Sequence, residues 1–481
     1  MTQFVDVDPE TLLGVLVRGC DERIFLRPKS NANKYHLNPV EYKDLLQRGS
    51  CTCNLLTPDG YDVAVDYLAE YEKSSYETKV NDQAKRIQDL FQGPNADFDV
   101  VFGPSGSDMM YVPSLYMTMF NPGQEIVNIV TCPDELGSGS KPAAEMKYYA
   151  AWNQKGEGIE LNGMICKDEI KTKCSYLPAR HTTGKVVDRT ADIAKLVNAN
   201  TKSPTIVNLV FGSKSGIEDD MLLIDSLQSQ FGSDFKKLMF CVDMCQLRSD
   251  VSLLHRLISR NVLIMITGSK FYQAPPFCGA LLVPQTTSEE LAKCEASAAK
   301  IYKDIFSAHD FPSANMAKVA AQLEPFENKG LRARWEIALN EMEAYQALPN
   351  AETNAAIQRW RQVVVGRLAQ TDVFEIMPNV NDTSPSIVSF KVRRGDGSSL
   401  SKAECQAIFD KLALNRQTGL QDGYEKVFIG QPVAYPDGGA FVRLAIGSYG
   451  VRQQMKQARF NPHNDLRVIQ ILEDLAQELY P

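Results

Sequence analysis

The sequence is expected to fold as an α/β protein, with a mostly parallel sheet in a large domain and a smaller α+β domain after it. Three observations lead there. Short apolar runs punctuate the middle of the chain, continuous rather than alternating, as suits strands covered on both faces. Helical patterns lie between those runs, and strand–helix–strand order favours parallel pairing. From about residue 326 long helices and scattered strands replace that alternation.

The runs are "FDVVFG" (98–103), "EIVNIVT" (125–131), "TIVNLVF" (205–211), "LMFCVD" (238–243), "NVLIMIT" (261–267) and "CGALLV" (278–283). Among the helices between them are "GIEDDMLLIDSLQSQF" (216–231) and "DVSLLHRLISR" (250–260). A helix is also expected at "SDMMYVPSLYMTMF", kinked at Pro113. Further on, 331–348 and 356–371 read as long helices. They are followed by "SIVSFKVRR", a helix from about Lys402 to Leu414, "EKVFIG" and "AFVRLAIG". In the last helix Leu466, Ile469, Leu472, Leu475 and Leu479 recur at core-facing spacing. Residues 1–80 have weak periodicity and are expected to wrap onto another domain or subunit. The expected division is 1–80, a large domain over 81–325 and a small one over 326–481.

A chain of 481 residues is too long for one simple core. Its 44% hydrophobic and 23% charged residues are those of an ordinary water-soluble protein. A net charge of −8 argues against nucleic acid or anionic membrane as partner. No apolar run reaches the roughly 18–20 residues of a membrane span, and the N-terminus lacks the basic start of a secretory signal. Eleven scattered cysteines, several in apolar runs, read as reduced core thiols of a cytoplasmic protein. Cys51 and Cys53 are too close for an ordinary zinc pair, so no metal site is expected.

Ligands of open α/β sheets bind beyond the carboxyl ends of the strands, so the residues just after each run come first. "FDVVFG" leads into Pro104-Ser105-Gly106-Ser107-Asp108 ahead of a helix. Small residues there leave backbone N–H groups free for a phosphate; a plain turn with Ser or Asp capping the helix accounts for it equally well. "LMFCV" ends at Asp243, followed by Gln246 and Arg248. "NVLIMI" ends at Thr267, Gly268, Ser269 and Lys270. "TIVNLVF" leads into Gly212, Ser213, Lys214, Ser215 and Gly216. Each alone has an ordinary explanation, but a phosphate turn, a carboxylate and a lysine converge. That set meets the needs of pyridoxal 5′-phosphate (PLP): donors for its phosphate, a carboxylate for its pyridine nitrogen and an amine for its aldehyde.

Here the sequence resembles the fold-type I PLP-dependent enzymes, most closely the class V aminotransferase and cysteine-desulfurase group. Asp243-Met244-Cys245-Gln246 resembles that group's D-A-A-Q motif. "TGSKFYQAPPFCGALLV" (267–283) resembles its S-x-H-K-x-x-G-P-x-G-x-G-x-L motif. The resemblance spans roughly residues 80–450. It implies a seven-stranded-type sheet, Asp243 at the pyridine nitrogen, Gln246 at the ring hydroxyl and Lys270 as the Schiff-base lysine. Ser105, Gly106, Ser107, Thr267 and Ser269 would bind the phosphate. Arg443 in "AFVRLAIGS" would hold a substrate carboxylate. "CPDELGSGS" (132–140) has no histidine or aromatic to stack on the ring, and Glu135 lies near that point. Arg27, Asn33, Tyr35 and Ser50 are further substrate-facing candidates, although simple loop roles explain them as well. Gly279 is expected to leave the cofactor uncrowded.

The resemblance further implies a homodimer acting on an amino acid, with Lys270 moving protons at the substrate Cα. Aminotransferase is the leading activity and a carbon–sulfur β-lyase the alternative. A desulfurase would need a mobile cysteine late in the chain, yet the only one after Cys294 is Cys405, within a helical pattern. A non-catalytic PLP-fold binding protein is disfavoured by the retention of Asp243, Gln246, Lys270 and Arg443. The chain has no G-x-x-x-x-G-K-[ST] nucleotide loop and no G-x-S-x-G elbow.

Overall fold

The computed structural model describes residues 4–49, 54–166, 169–248, 250–377, 385–457 and 460–481. Ser50 therefore lies outside the described residues. In chain order, β1 (Leu45–Arg48) precedes β2 (Phe98–Gly103), β3 (Ile126–Thr131), β4 (Thr172–Leu177), β5 (Thr205–Val210), β6 (Leu238–Asp243), β7 (Leu263–Thr267) and β8 (Gly279–Pro284). β9 (Phe374–Ile376), β10 (Ile387–Val392), β11 (Lys426–Ala434) and β12 (Ala440–Ala445) follow.

The strands β2 to β8 form one seven-stranded sheet, ordered β2-β8-β7-β6-β5-β3-β4. β3 to β7 pair in parallel, and β8 runs antiparallel to both its neighbours. Every residue of β3, β5, β7 and β8 is buried, which is why their apolar runs do not alternate. Val242, Ile264 and Ile266 enter the core on one face; Cys241, Met265 and the helix Tyr111–Phe120 belong to the core on the other. β4 is an edge strand with no fully buried residue, so "TKCSYL" carries no apolar signal.

The remaining strands form a second sheet ordered β1-β11-β12-β10-β9. β1 joins its edge in parallel with β11, so part of the first 80 residues completes a sheet otherwise built after residue 373. This N-terminal region is also more helical than its pattern suggests. Pro58–Ala69 and Tyr76–Phe91 are helices capped by Thr57 and Ser75, and Tyr76, Val80, Ile87 and Phe91 are buried. The long helix Lys329–Gln346 braces the N-terminal region. Its buried Arg334 donates to Phe277 O, Leu16 O, Arg18 O and Gly19 O.

Two sequence expectations change. Pro113 lies in the first turn of Tyr111–Phe120, where no intrahelical donor is needed, so it does not interrupt that helix. The 216–231 pattern becomes helical only from Leu222; before it, Asp219 is buried against Arg189 at 2.7 Å. In the last helix, His463–Leu479, the buried apolar residues are Val468, Ile469, Ile471, Leu472 and Ala476; Leu475 and Leu479 pack at the margin, and Leu466 is only half-buried.

Candidate active site

Strand register brings the expected residues to one edge. Gly103 pairs with Gly279, and Gly279 with Thr267. Asp243 sits opposite Met265 on one side and Val210 on the other. The chain therefore leaves β2, β7, β6 and β5 along the same edge of the sheet.

The turn Ser105-Gly106-Ser107 folds down onto that edge. A Cβ at Gly106 would lie 2.7 Å from Cys245 Sγ and 3.1 Å from Thr267 Cγ2. The turn after β2 thus packs against both the aspartate-bearing loop and the lysine-bearing strand. Gly279 serves this approach. A Cβ there would meet the Ser105 carbonyl at 2.5 Å, so its missing side chain makes room for the turn's backbone rather than for the cofactor.

Ser105 and Ser107 are both buried. The Ser105 N–H and Oγ donate to Asp108 Oδ2 at 2.8 and 2.9 Å, and Tyr149 OH donates to Asp108 Oδ1 at 2.7 Å. Burial pushes the Asp108 carboxyl up to about 6, against the opposing pull of those hydrogen bonds. The N–H and hydroxyl donors of Ser105 are therefore committed to Asp108. Thr267 Oγ1 donates to Cys245 O at 2.9 Å, tying the lysine strand to the aspartate loop. Ser269 is buried beside Cys278 and slightly offsets the upward push of burial on that thiol.

Asp243 accepts from Cys245 N at 2.9 Å and has no cationic partner among the described residues. Gln246 Oε1 accepts from Arg248 Nε at 3.3 Å. Arg248 also donates to Ser386 Oγ and Ile446 O, and burial with Arg443 nearby lowers it to about 9. Lys270 is partly exposed just past β7, and among the described residues no side-chain hydrogen bond or ion pair engages its ammonium. Its backbone is held from outside the motif. Buried Asn54 donates from Nδ2 to Ser269 O at 2.6 Å and to Lys270 O at 3.0 Å.

Arg443 on β12 is 1% exposed. It donates to Lys214 O at 3.2 Å and to Gln431 O at 3.1 Å, while its Nε is buried without a partner. It comes close enough to Lys214 that the two cations oppose each other. Glu135 does not face a ring-stacking position as a free group. It accepts from Ser213 Oγ and from Ser215 N–H and Oγ, and pairs with Arg180 at 3.2 Å.

The N-terminal candidates do not gather at this edge as a group. Arg27 is exposed. Asn33 is buried and accepts from Tyr35 N and Leu37 N, stabilising its own loop. Tyr35 packs at the margin of the core. Neighbouring His36 meets Asp410 at 2.9 Å, on the helix Lys402–Leu414.

No family model matches the chain, and no curated protein matches it. Solved structures do. The alanine–glyoxylate aminotransferase of Nostoc sp. is similar at 11% identity and TM-score 0.56, over 92% of this chain and 97% of that one. The ureidoglycine–glyoxylate aminotransferase of Bacillus subtilis is similar at 13% identity and TM-score 0.54, over 90% and 92%. Oryza sativa TDC, solved with PLP and tryptamine, is similar at 12% identity and TM-score 0.51, over 91% and 84%. The fold is that of the fold-type I PLP enzymes. At these identities the likeness is one of architecture, and it does not choose a reaction.

The residues present fit PLP. The glycine turn lies in contact with the loops of Asp243 and Lys270. Among the described residues Asp243 has no ion-pair partner, and no ion pair or hydrogen bond engages the ammonium groups of Lys270 and Lys214. Such a set is complementary to a ligand with both a cationic nitrogen and anionic groups. The Ser105 and Thr267 hydroxyls fit less directly, because they already bond within the protein. The turn's phosphate donors would then be backbone N–H groups around Gly106.

Proposed function

We propose that the protein is a PLP-dependent enzyme acting on an amino acid, and that the reaction is transamination. The observation that carries this reading is the contact of Gly106 with Cys245 and Thr267, which brings the phosphate turn, Asp243 and Lys270 to one strand edge.

Bound there, PLP supplies an aldehyde for an amine and a protonated pyridine ring that draws electrons from the substrate Cα. Asp243 would accept the pyridine N–H and keep that nitrogen protonated. Lys270 would be the amine that meets the aldehyde, and its Nζ, when free, would take a proton from the substrate Cα and return it. Arg443 and its surroundings would hold the carboxylate, which disfavours decarboxylation and leaves Cα–H cleavage, the step that begins both transamination and elimination. A homodimer, with sites completed between subunits, belongs to the same reading.

The purified protein should be yellow with PLP, and borohydride should fix the label on Lys270 alone. Lys270→Ala should lose that label and nearly all turnover while keeping its fold by circular dichroism. A colourless wild type that takes up no PLP refutes the reading. With candidate amino acids, conversion to the pyridoxamine form without added keto acid supports transamination. Release of ammonia and pyruvate would instead indicate elimination, and release of carbon dioxide decarboxylation.

A further inference from the structure

A second lysine stands in the same edge with no function assigned by any motif. Lys214 lies in the tight loop after β5, between Gly212 and Gly216, whose φ values of +82° and +87° favour glycine. Both of its neighbours are clamped: Ser213 and Ser215 are buried, and their hydroxyls donate to Glu135. Glu135 is in turn neutralised by buried Arg180, which also donates to Ser215 Oγ at 2.9 Å. Glu135 thus fixes the loop on either side of Lys214 while most of its own charge is used elsewhere.

The Lys214 ammonium has no hydrogen-bond or ion-pair partner among the described residues. Cations outweigh anions around it: Arg443, Lys270 and Lys402 oppose its charge, Glu135 alone favours it and is itself paired with Arg180, and the Lys214 carbonyl accepts from Arg443. An amine held in a rigid, partly buried loop beside two other cations is unfavourable in the empty protein. It becomes favourable when an anion enters.

The position of that anion follows from strand order. The phosphate turn packs on Cys245 and Thr267, toward β7 and β2. Lys214 projects from the end of β5, across Asp243 from the turn and next to Arg443 of the second sheet. A cofactor phosphate would therefore sit on one side and a second anion on the other. We infer that Lys214, with Arg443 behind it, binds the carboxylate of the substrate. Arg443 is buried with two donors committed to carbonyls, so Lys214 is the accessible cation of the pair. This inference rests on the PLP reading above.

Two reagents test it without knowledge of the natural substrate. Aminooxyacetate and O-methylhydroxylamine carry the same aminooxy nucleophile, and only the first has a carboxylate. Each is titrated into the PLP-loaded full chain, and loss of visible absorbance is followed. Wild type should prefer aminooxyacetate. Lys214→Met should lose about tenfold or more of that preference, the scale of one charge-assisted hydrogen bond. Its response to O-methylhydroxylamine and its borohydride labelling at Lys270 should not change. Lys214→Arg should restore most of the preference, which a merely structural role would not predict. A readout without cofactor completes the test: acetate should protect Lys214, and not exposed Lys202, from reductive methylation read by peptide mass. Full preference in Lys214→Met, or no protection by acetate, overturns the inference. Failure of wild type to take up PLP would instead refute the cofactor reading, and is seen separately.

Discussion

Replacing Gly106 by alanine tests whether contact between the three loops is what builds the site. The new Cβ would stand 2.7 Å from Cys245 Sγ and 3.1 Å from Thr267 Cγ2. An ordinary carbon–sulfur contact is about 1 Å longer, and the surrounding backbone is held by Gly279 and by the Thr267–Cys245 hydrogen bond. Overpacking of this kind costs about 1–3 kcal/mol. If the turn yields by moving off the edge, the same energy appears as a loss of PLP affinity of roughly 5- to 150-fold. Cys245→Ala removes the sulfur and leaves that residue's Cβ at 3.8 Å, so the double variant should recover part of the loss. A coupling of about 1 kcal/mol is expected for residues in direct contact. Absorbance titration with PLP and urea unfolding of all four proteins provide the cycle. Wild-type PLP affinity and stability in Gly106→Ala, or a double variant no better than the single, would refute the reasoning.

Other consequences follow from individual side chains. Asp108 is raised to about 6 from an unfolded value of 3.8, so its contribution to stability is complete below the unfolded value and is lost as pH rises through the folded one. Asp108→Asn should abolish about 2 kcal/mol of the stability loss between about pH 4.5 and about pH 7.5, measured by urea unfolding at both. Lys214 is lowered to about 8, first by burial and then by Arg443 and Lys270. The preference for aminooxyacetate should therefore fade as pH rises through about 8, and Lys214→Arg should keep it to higher pH. Asn54→Ala removes two donors from the carbonyls of Ser269 and Lys270. It should cost about 1–3 kcal/mol in chemical denaturation and slow borohydride labelling of Lys270; an unchanged protein would show that the Lys270 loop holds its own shape.

The sequence by itself determined the parts of the molecule that are local. Buried strands need continuous apolar runs, so six of the seven strands of the large sheet were legible; β4, a half-exposed edge, was not. The residues just past those runs are read at once from their order, and so Asp243 and Lys270 could be placed at strand ends. Helices of the N-terminal region escaped notice because their buried residues face distant partners such as Lys329–Gln346. Only the tertiary structure decided what the side chains at those ends do. Ser105 and Thr267 spend their hydroxyls inside the protein, Gly279 admits the backbone of Ser105, and Glu135 clamps both neighbours of Lys214. β1 likewise finds β11 across hundreds of intervening residues. These are meetings between segments remote in the chain, and hydrophobic spacing within one segment carries no record of which polar group in another will reach it.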